Sequence, residues 1–247
     1  MLEKINGIVM KSRDYGETHK IVTIFSKKFG KITALARGAK KPKSRMAAVT
    51  QPFIFAQFFI YMSKGLSTIQ QGEIINSNRI IREDIIKTAY TAYIMELTDK
   101  LLEDRNSEAY IFEQLQHTMD YIAGNENCEI PVIMYEMKLY KIGGFAPKVD
   151  SCVNCGKKEE LVVFSIKEGG ILCSRCRHVD LDSTFLPTPL PKLLYIFSEI
   201  GLERVNNISV KDENKNIVRQ ILDSYYDHYG GYYIKARKFL NQIDLLK

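Results

Sequence analysis

The chain has 247 residues, 45% hydrophobic and 26% charged, enough for one large globular domain or two modest ones. No window approaches the roughly 18 apolar residues of a membrane span, and the opening MLEKINGIVMKSRDYGE lacks a secretory apolar stretch, so the expectation is a cytosolic protein with no membrane contact. The net charge of +6 is uneven: residues 1–80 hold 14 of the 35 Lys and Arg but 4 of the 29 Asp and Glu, leaving 21 against 25 for 81–247, so a polyanion partner is expected for the N-terminal third.

From Lys4 to about Asn76 the pattern is that of strands. INGIVMKS, HKIVTIFS, KITALA and FIFAQFFIYM are β-branched or aromatic runs separated by turn residues such as Asp14-Tyr15-Gly16 and Phe29-Gly30. Several short strands in succession predict a small barrel or sandwich. A five-stranded barrel of the oligonucleotide-binding (OB) type fits the length and charge, although periodicity alone is equally compatible with an SH3-like barrel.

Within this region Arg37-Gly-Ala-Lys40-Lys41-Pro-Lys43-Ser-Arg45 carries five positive charges and no acid, with turn-forming residues between them. It is expected as an exposed loop after a strand and a natural contact for phosphate; taken alone it reads equally well as a solvated loop without a partner. Arg13, His19 and Lys20 would widen the positive face. Of Phe53, Phe55, Phe58, Phe59 and Tyr61, alternate members must face the core, while one on an open face would stack a base at about 1–3 kcal/mol.

After Asn78 the period changes to that of a helix, with Ile81, Ile85, Ala89, Tyr90, Ile94, Leu97 and Leu101 on one apolar face. A second amphipathic segment carries Ile111, Phe112, Leu115, Met119 and Ile122, and a third runs from about Pro131 to Gly143-Gly144. Pro187, Pro189 and Pro191 precede another helix with Leu193, Leu194, Phe197 and Ile200 as its buried side. Further helices are expected over about Glu213 to Tyr226 and in the last segment, GGYYIKARKFLNQI.

Cys152-Val-Asn-Cys155 and Cys173-Ser-Arg-Cys176 are C-x-x-C pairs with 17 residues between Cys155 and Cys173, the spacing of a two-knuckle zinc site. Each pair lets one tight turn aim two thiolates at one ion, Gly156 permits the turn after the first, and LVVFSIKEGGILC reads as the hairpin that joins them. Four thiolates leave zinc no open position, so one structural Zn2+ is expected, with His178 outside the ligand set. Thioredoxin-like redox chemistry is disfavoured because the βαβ context is missing, and the odd count of five cysteines, with Cys128 alone, argues against a disulfide framework.

Neither a phosphate-binding G-x-x-x-x-G-K-[ST] loop, a dinucleotide G-x-G-x-x-G turn, an H-E-x-x-H helix nor a zinc-deaminase signature occurs in the chain. His19, His117 and His228 are mutually isolated, and the tyrosines around Tyr225 and Tyr232 read as helix packing. A non-enzymatic protein is expected.

The order DYGETHKIVTIFSKKFGKITALARGAKKPKS, helices, CVNCG, CSRC and GGYYIKARKFL resembles the RecO family of bacterial DNA-repair and recombination-mediator proteins over essentially the full length. The family's terminal motif usually reads close to L-K-S-R-x-F-L; this chain has Ile234-Lys235-Ala236-Arg237-Lys238-Phe239-Leu240, with alanine in place of serine. The resemblance implies an α+β multi-domain chain: an OB-fold β-barrel over 1–79 for DNA, a helical domain over 80–150 and 178–247, and an inserted four-cysteine zinc module over 151–177 held by Cys152, Cys155, Cys173 and Cys176. It also implies binding to single- and double-stranded DNA, strand annealing, cooperation with RecR to load RecA onto strands covered by single-strand-binding protein, contact with that protein's acidic, apolar C-terminal tail, and a place in the bacterial cytoplasm at the nucleoid. Arg13, Lys20, Arg37, Lys40, Lys41, Lys43 and Arg45 are the expected DNA contacts. Two other readings stay open: an RNA-binding protein of the same architecture, since a basic barrel does not by itself tell ribose from deoxyribose, and a zinc-stabilised adaptor that works through its helices.

Overall fold

The strand-forming runs of the basic third close on themselves. In the computed structural model, which describes residues 1–205 and 209–244, β1 (Leu2–Tyr15), β2 (His19–Ser26), β3 (Gly30–Ala36), β4 (Phe55–Tyr61) and β5 (Ser67–Asn76) form a closed barrel in the order β1-β2-β3-β5-β4. Parts of the expected helical region, at 206–208 and 245–247, lie outside the described residues. β3 runs parallel to β5 and every other neighbouring pair is antiparallel. A register shift between Val9 and Lys11 bends β1, whose first half pairs with β4 and second half with β2. A short helix, α1 (Arg45–Val49), follows the basic segment between β3 and β4, and the barrel is OB-like, as expected.

Alternation along the strands fills the interior with Val22, Ile24, Ile32, Ala34, Phe58 and Ile60. β5 has no such pattern: STIQQGEIIN is rich in amides, and ladder bonds to β3 and β4 hold it in place.

The chain forms two compact units, Met1–Glu126 with the segment from Ile234 on, and Asn127–Tyr233. In the first unit, the single helix expected from Ile81 to Leu101 is interrupted, giving α2 (Arg79–Glu83) and α3 (Ile85–Leu101). Asp84 is extended between them, and its carboxylate accepts hydrogen bonds from the backbone N–H of Ile86 and Lys87 at 2.8 and 3.0 Å, so it caps α3. The break turns Ile85 outward, 66% exposed, away from the apolar face expected for it. α4 (Ala109–Gly124) buries Ile111, Phe112, Leu115, Met119 and Ile122 as their spacing predicts. The start of α8 (Lys235–Asp244) is satisfied by Glu96 of α3, whose two oxygens accept from the N–H groups of Lys235 and Ala236 at 3.1 and 2.8 Å. Ala236 thus makes its contact through the backbone.

In the second unit α5 (Glu129–Ile142) is enclosed by its neighbours, so its two buried charges are matched. Glu136 receives both terminal nitrogens of Arg219, on α7 (Asp212–Tyr229), at 2.6 and 2.9 Å. Lys138 donates to the carbonyls of Phe197 and Ile200 at 3.2 and 2.7 Å, at the end of α6 (Pro189–Glu199). α6 buries Leu190, Leu194 and Phe197, with Leu193 and Ile200 only half-buried. The expected hairpin, β6 (Leu161–Ser165) and β7 (Gly170–Cys173), gains a short third strand, β8 (Thr184–Phe185), in the order β7-β6-β8.

Gly30 couples the barrel to the loop between α3 and α4. Its φ of +64° is costly for other residues, and a Cβ there would overlap the backbone oxygen of Asn106. Beside it the Arg105 N–H donates to the Lys31 carbonyl at 3.0 Å. Gly30→Ala should therefore lower the unfolding free energy by at least ~2 kcal/mol in a denaturant titration, combining φ strain with displacement of the loop. Wild-type stability would mean that this loop is not seated on the barrel.

Candidate nucleic-acid edge and metal centre

The end of β1 and the start of β2 pair residue by residue, Arg13 with Ile21, Asp14 with Lys20 and Tyr15 with His19. Against this corner folds the basic segment that follows β3. Gly38 has φ +67°, Lys41 N–H donates to Gly38 O at 3.0 Å, and Ser44 N–H donates to Lys41 O at 3.2 Å, so the segment is a succession of tight turns leading into α1. Ala39 is 1% exposed and belongs to the barrel core. The Lys40 N–H donates to Thr18 O at 2.9 Å, and the Gly38 N–H donates to His19 Nδ1 at 3.0 Å. The expected loop exposes its charged residues, but its first part is fastened to the barrel at Gly38, Ala39 and Lys40.

Arg37, Lys40, Lys41, Lys43 and Arg45 all reach solvent, as does Arg13, while Lys20 is half-buried. Lys40 meets Asp14 at 3.0 Å. Among the described residues no ion pair engages Arg13, Lys20, Arg37, Lys41, Lys43 or Arg45. The start of the segment after β3 thus lies against the β1–β2 corner, where Asp14 pairs with Lys40 and Glu17 is also exposed.

The OB architecture ordinarily receives oligonucleotides on its strand 2–3 face. Here the outer side of β2 is covered. Thr23 and Phe25 are buried, and Phe25 meets Phe112 of α4 edge-on with ring centroids 5.4 Å apart. Lys31 of β3, 6% exposed, donates to the backbone oxygen of Asp99 on α3 at 2.5 Å. The sequence carried a signal for this: IVTIF is apolar without alternation, the pattern of a strand buried on both faces.

The aromatic run of β4 divides as alternation requires. Phe58 faces the interior, and Phe53, just before the strand, is buried; Phe55 and Phe59 are half-buried on the outer side and Tyr61 is 56% exposed. Lys4, opposite Phe59 in the β1–β4 ladder, places Nζ 5.8 Å from that ring's centroid.

In the second unit the two C-x-x-C turns bring four sulfurs together. The Gly156 N–H donates to Cys152 O at 2.8 Å with Gly156 at φ +75°, the Cys176 N–H donates to Cys173 O at 3.0 Å, and Leu161 pairs with Cys173 across the hairpin. The sulfurs of Cys152, Cys155, Cys173 and Cys176 all lie within 4.8 Å of one another, and those of Cys155 and Cys173 are 3.7 Å apart. A tetrahedron of thiolates around zinc has edges of about 3.8 Å, from Zn–S bonds of about 2.3 Å, so the donor set fits. The cluster could hold a metal ion.

Cys152 and Cys173 are wholly buried, Cys176 nearly so, and Cys155 is exposed. Burial opposes ionisation of Cys152, but backbone N–H groups of Cys155, Cys173 and Asn154 outweigh it and bring its pKa down to about 6. At Cys176 the Asn154 amide, donating at 3.3 Å, favours the thiolate, yet burial and the three neighbouring thiols push the pKa up to about 11. Such a set ionises stepwise, and a cation that engages all four sulfurs must displace protons. Asn154 was not foreseen; its place between Cys152 and Cys155 was the available clue. His178 is exposed, and neither it nor Cys128 belongs to the cluster.

Cys155→Ser removes a sulfur at the least buried position. It should lower metal affinity at least ~10-fold in competition with a chromogenic chelator, since even outer-shell changes cost about that much. Unchanged affinity would mean that Cys155 is not a ligand.

Residues 1–78 match the family model described as Recombination protein O N terminal, and residues 82–238 match Recombination protein O C terminal. A protein named DNA repair protein RecO from Oceanobacillus iheyensis is 57% identical over 244 residues, covering 99% of this chain and 95% of the relative. Proteins of the same name from Bacillus mycoides and Bacillus cytotoxicus are 47% and 46% identical over 246 residues, covering 99% of this chain and 98% of each relative.

Proposed function

Since this chain belongs to the RecO family of DNA repair proteins, we propose that it is a non-enzymatic recombination mediator of the RecF pathway. It binds single- and double-stranded DNA, anneals complementary single strands and, with RecR, helps load RecA onto strands covered by single-strand-binding protein, whose acidic C-terminal tail it engages. It acts in the bacterial cytoplasm at the nucleoid. The functional parts are the barrel over 1–79 for DNA, the helical domain over 80–150 and 178–247 for partners, and the cysteine module over 151–177.

The observation that supports this reading most is the edge formed by Arg13, Lys20, Arg37, Lys41, Lys43 and Arg45, which carry no ion pair among the described residues. Annealing breaks no covalent bond. It requires two phosphate backbones to be neutralised closely enough for bases to pair, and a fastened row of cations beside a closed barrel does this without enclosing the bases. Tyr61 and Phe59 on the outer side of β4 offer a face for base stacking.

Cys152, Cys155, Cys173 and Cys176 hold one Zn2+ in this reading. When bound, the ion supplies a crosslink between the two knuckles rather than a reactive centre, because four thiolates leave it no open position. No helix among the described residues is long and apolar enough to cross a membrane. Removal of zinc by a chelator should make 151–177 sensitive to limited proteolysis, and re-addition should restore protection. Equal protection in both states would remove the structural role.

Alanine at Arg37, Lys40, Lys41, Lys43 and Arg45 together should weaken binding to an unstructured DNA oligonucleotide and flatten its log K against log salt plot. Each lost contact is worth a slope of about 0.7, or roughly 3.5 for all five. Unchanged binding at moderate salt would overturn the assignment of this segment. Matched RNA in the same titration discriminates the partner: a clear RNA preference would move the function to RNA, and negligible binding of either at physiological salt would make the chain an adaptor.

A further inference from the structure

One fastening of the basic segment is made by the side chain of His19. His19 begins β2 opposite Tyr15, and its ring reaches across to the segment after β3, where Nδ1 accepts the backbone N–H of Gly38 at 3.0 Å. The Thr18 hydroxyl lies 3.3 Å from the same nitrogen. For Nδ1 to accept, the neutral ring must carry its proton on Nε2. Two residues on, the Lys40 N–H donates to Thr18 O at 2.9 Å and the Lys40 ammonium meets Asp14 at 3.0 Å. Between these fastenings Ala39 is buried in the barrel core.

We propose that His19 is a positioning residue for nucleic-acid binding: by holding the N–H of Gly38 it fixes the path of the basic segment and so the places at which Arg37, Lys41, Lys43 and Arg45 meet a sugar–phosphate backbone. The proposal rests on the assignment of that segment as the phosphate contact. Gly38 sits at φ +67°, which glycine adopts without a Cβ penalty, and the hydrogen bond to His19 anchors it there. A segment already in its bound path loses less freedom when the polyanion arrives, so the fastening acts on affinity without adding a phosphate contact.

That separates positioning from direct charge. With full-length protein and a single-stranded DNA oligonucleotide at moderate salt, His19→Ala should weaken binding by ~3–10-fold, the range for freeing one or two ordered groups, and leave the salt slope unchanged. His19→Asn should restore near wild-type affinity, because its amide oxygen occupies the position of Nδ1; His19→Gln, whose amide extends to the position of Nε2, should behave like alanine. Thermal unfolding of each variant confirms that the barrel is folded. Unchanged binding for His19→Ala, or equal loss in all three variants, would overturn the proposal. The variant with five alanines tells which premise has failed. If it loses binding while His19→Ala does not, the segment is the contact and His19 does not position it; if neither loses binding, the segment is not the contact.

Discussion

Burial of the outer side of β2 beneath α4 closes the face that an OB barrel ordinarily offers to an oligonucleotide. Phe25 and Thr23 have left solvent, Phe25 against Phe112, and Lys31 is committed to Asp99 on α3. Opening that face would expose a buried aromatic pair and strand a buried ammonium, which together cost several kcal/mol by ordinary measures of ring burial and lost charge pairing. The proposed function therefore places nucleic acid at the barrel's margin. Among the described residues, Arg13, Lys20, Arg37, Lys41, Lys43 and Arg45 of β1, β2 and the segment after β3 carry no ion pair.

The margin is ordered by fastenings that differ in kind. A turn with a left-handed glycine sets the direction, a buried alanine ties the segment to the core, and backbone hydrogen bonds to Thr18 and His19 hold it laterally. Long basic side chains project from this frame. Their ends reach solvent, and of the five in the segment only Lys40 is ion-paired among the described residues, with Asp14. The cysteine cluster is a different device in the other unit: four sulfurs converge from two turns and a hairpin, with Asn154 contributing a donor to Cys176.

Much of this was legible in the residues. Short β-branched and aromatic runs between turn residues pointed to a small barrel or sandwich, of which the barrel forms, and the doubled C-x-x-C spacing pointed to a cluster whose geometry fits one ion. What was not legible had physical reasons. β5 is held by ladder bonds more than by side-chain pattern, so STIQQGEIIN carried little signal. The break at Asp84 interrupts an unbroken helical period with a capping carboxylate, and periodicity cannot see a cap. β8 is two residues long and exists only as a third strand beside β6. His19 looked like an isolated imidazole because its partner is a backbone N–H 19 residues away.

In the proposed function the fastened positive edge allows two DNA strands to meet. Its most direct test is annealing of complementary strands, each coated with its cognate single-strand-binding protein, with wild-type chain, with the variant lacking the five charges of the basic segment, and with no addition. The wild-type chain should accelerate annealing, and the variant little or not at all. No acceleration by a wild-type chain that still binds bare oligonucleotides would contradict it.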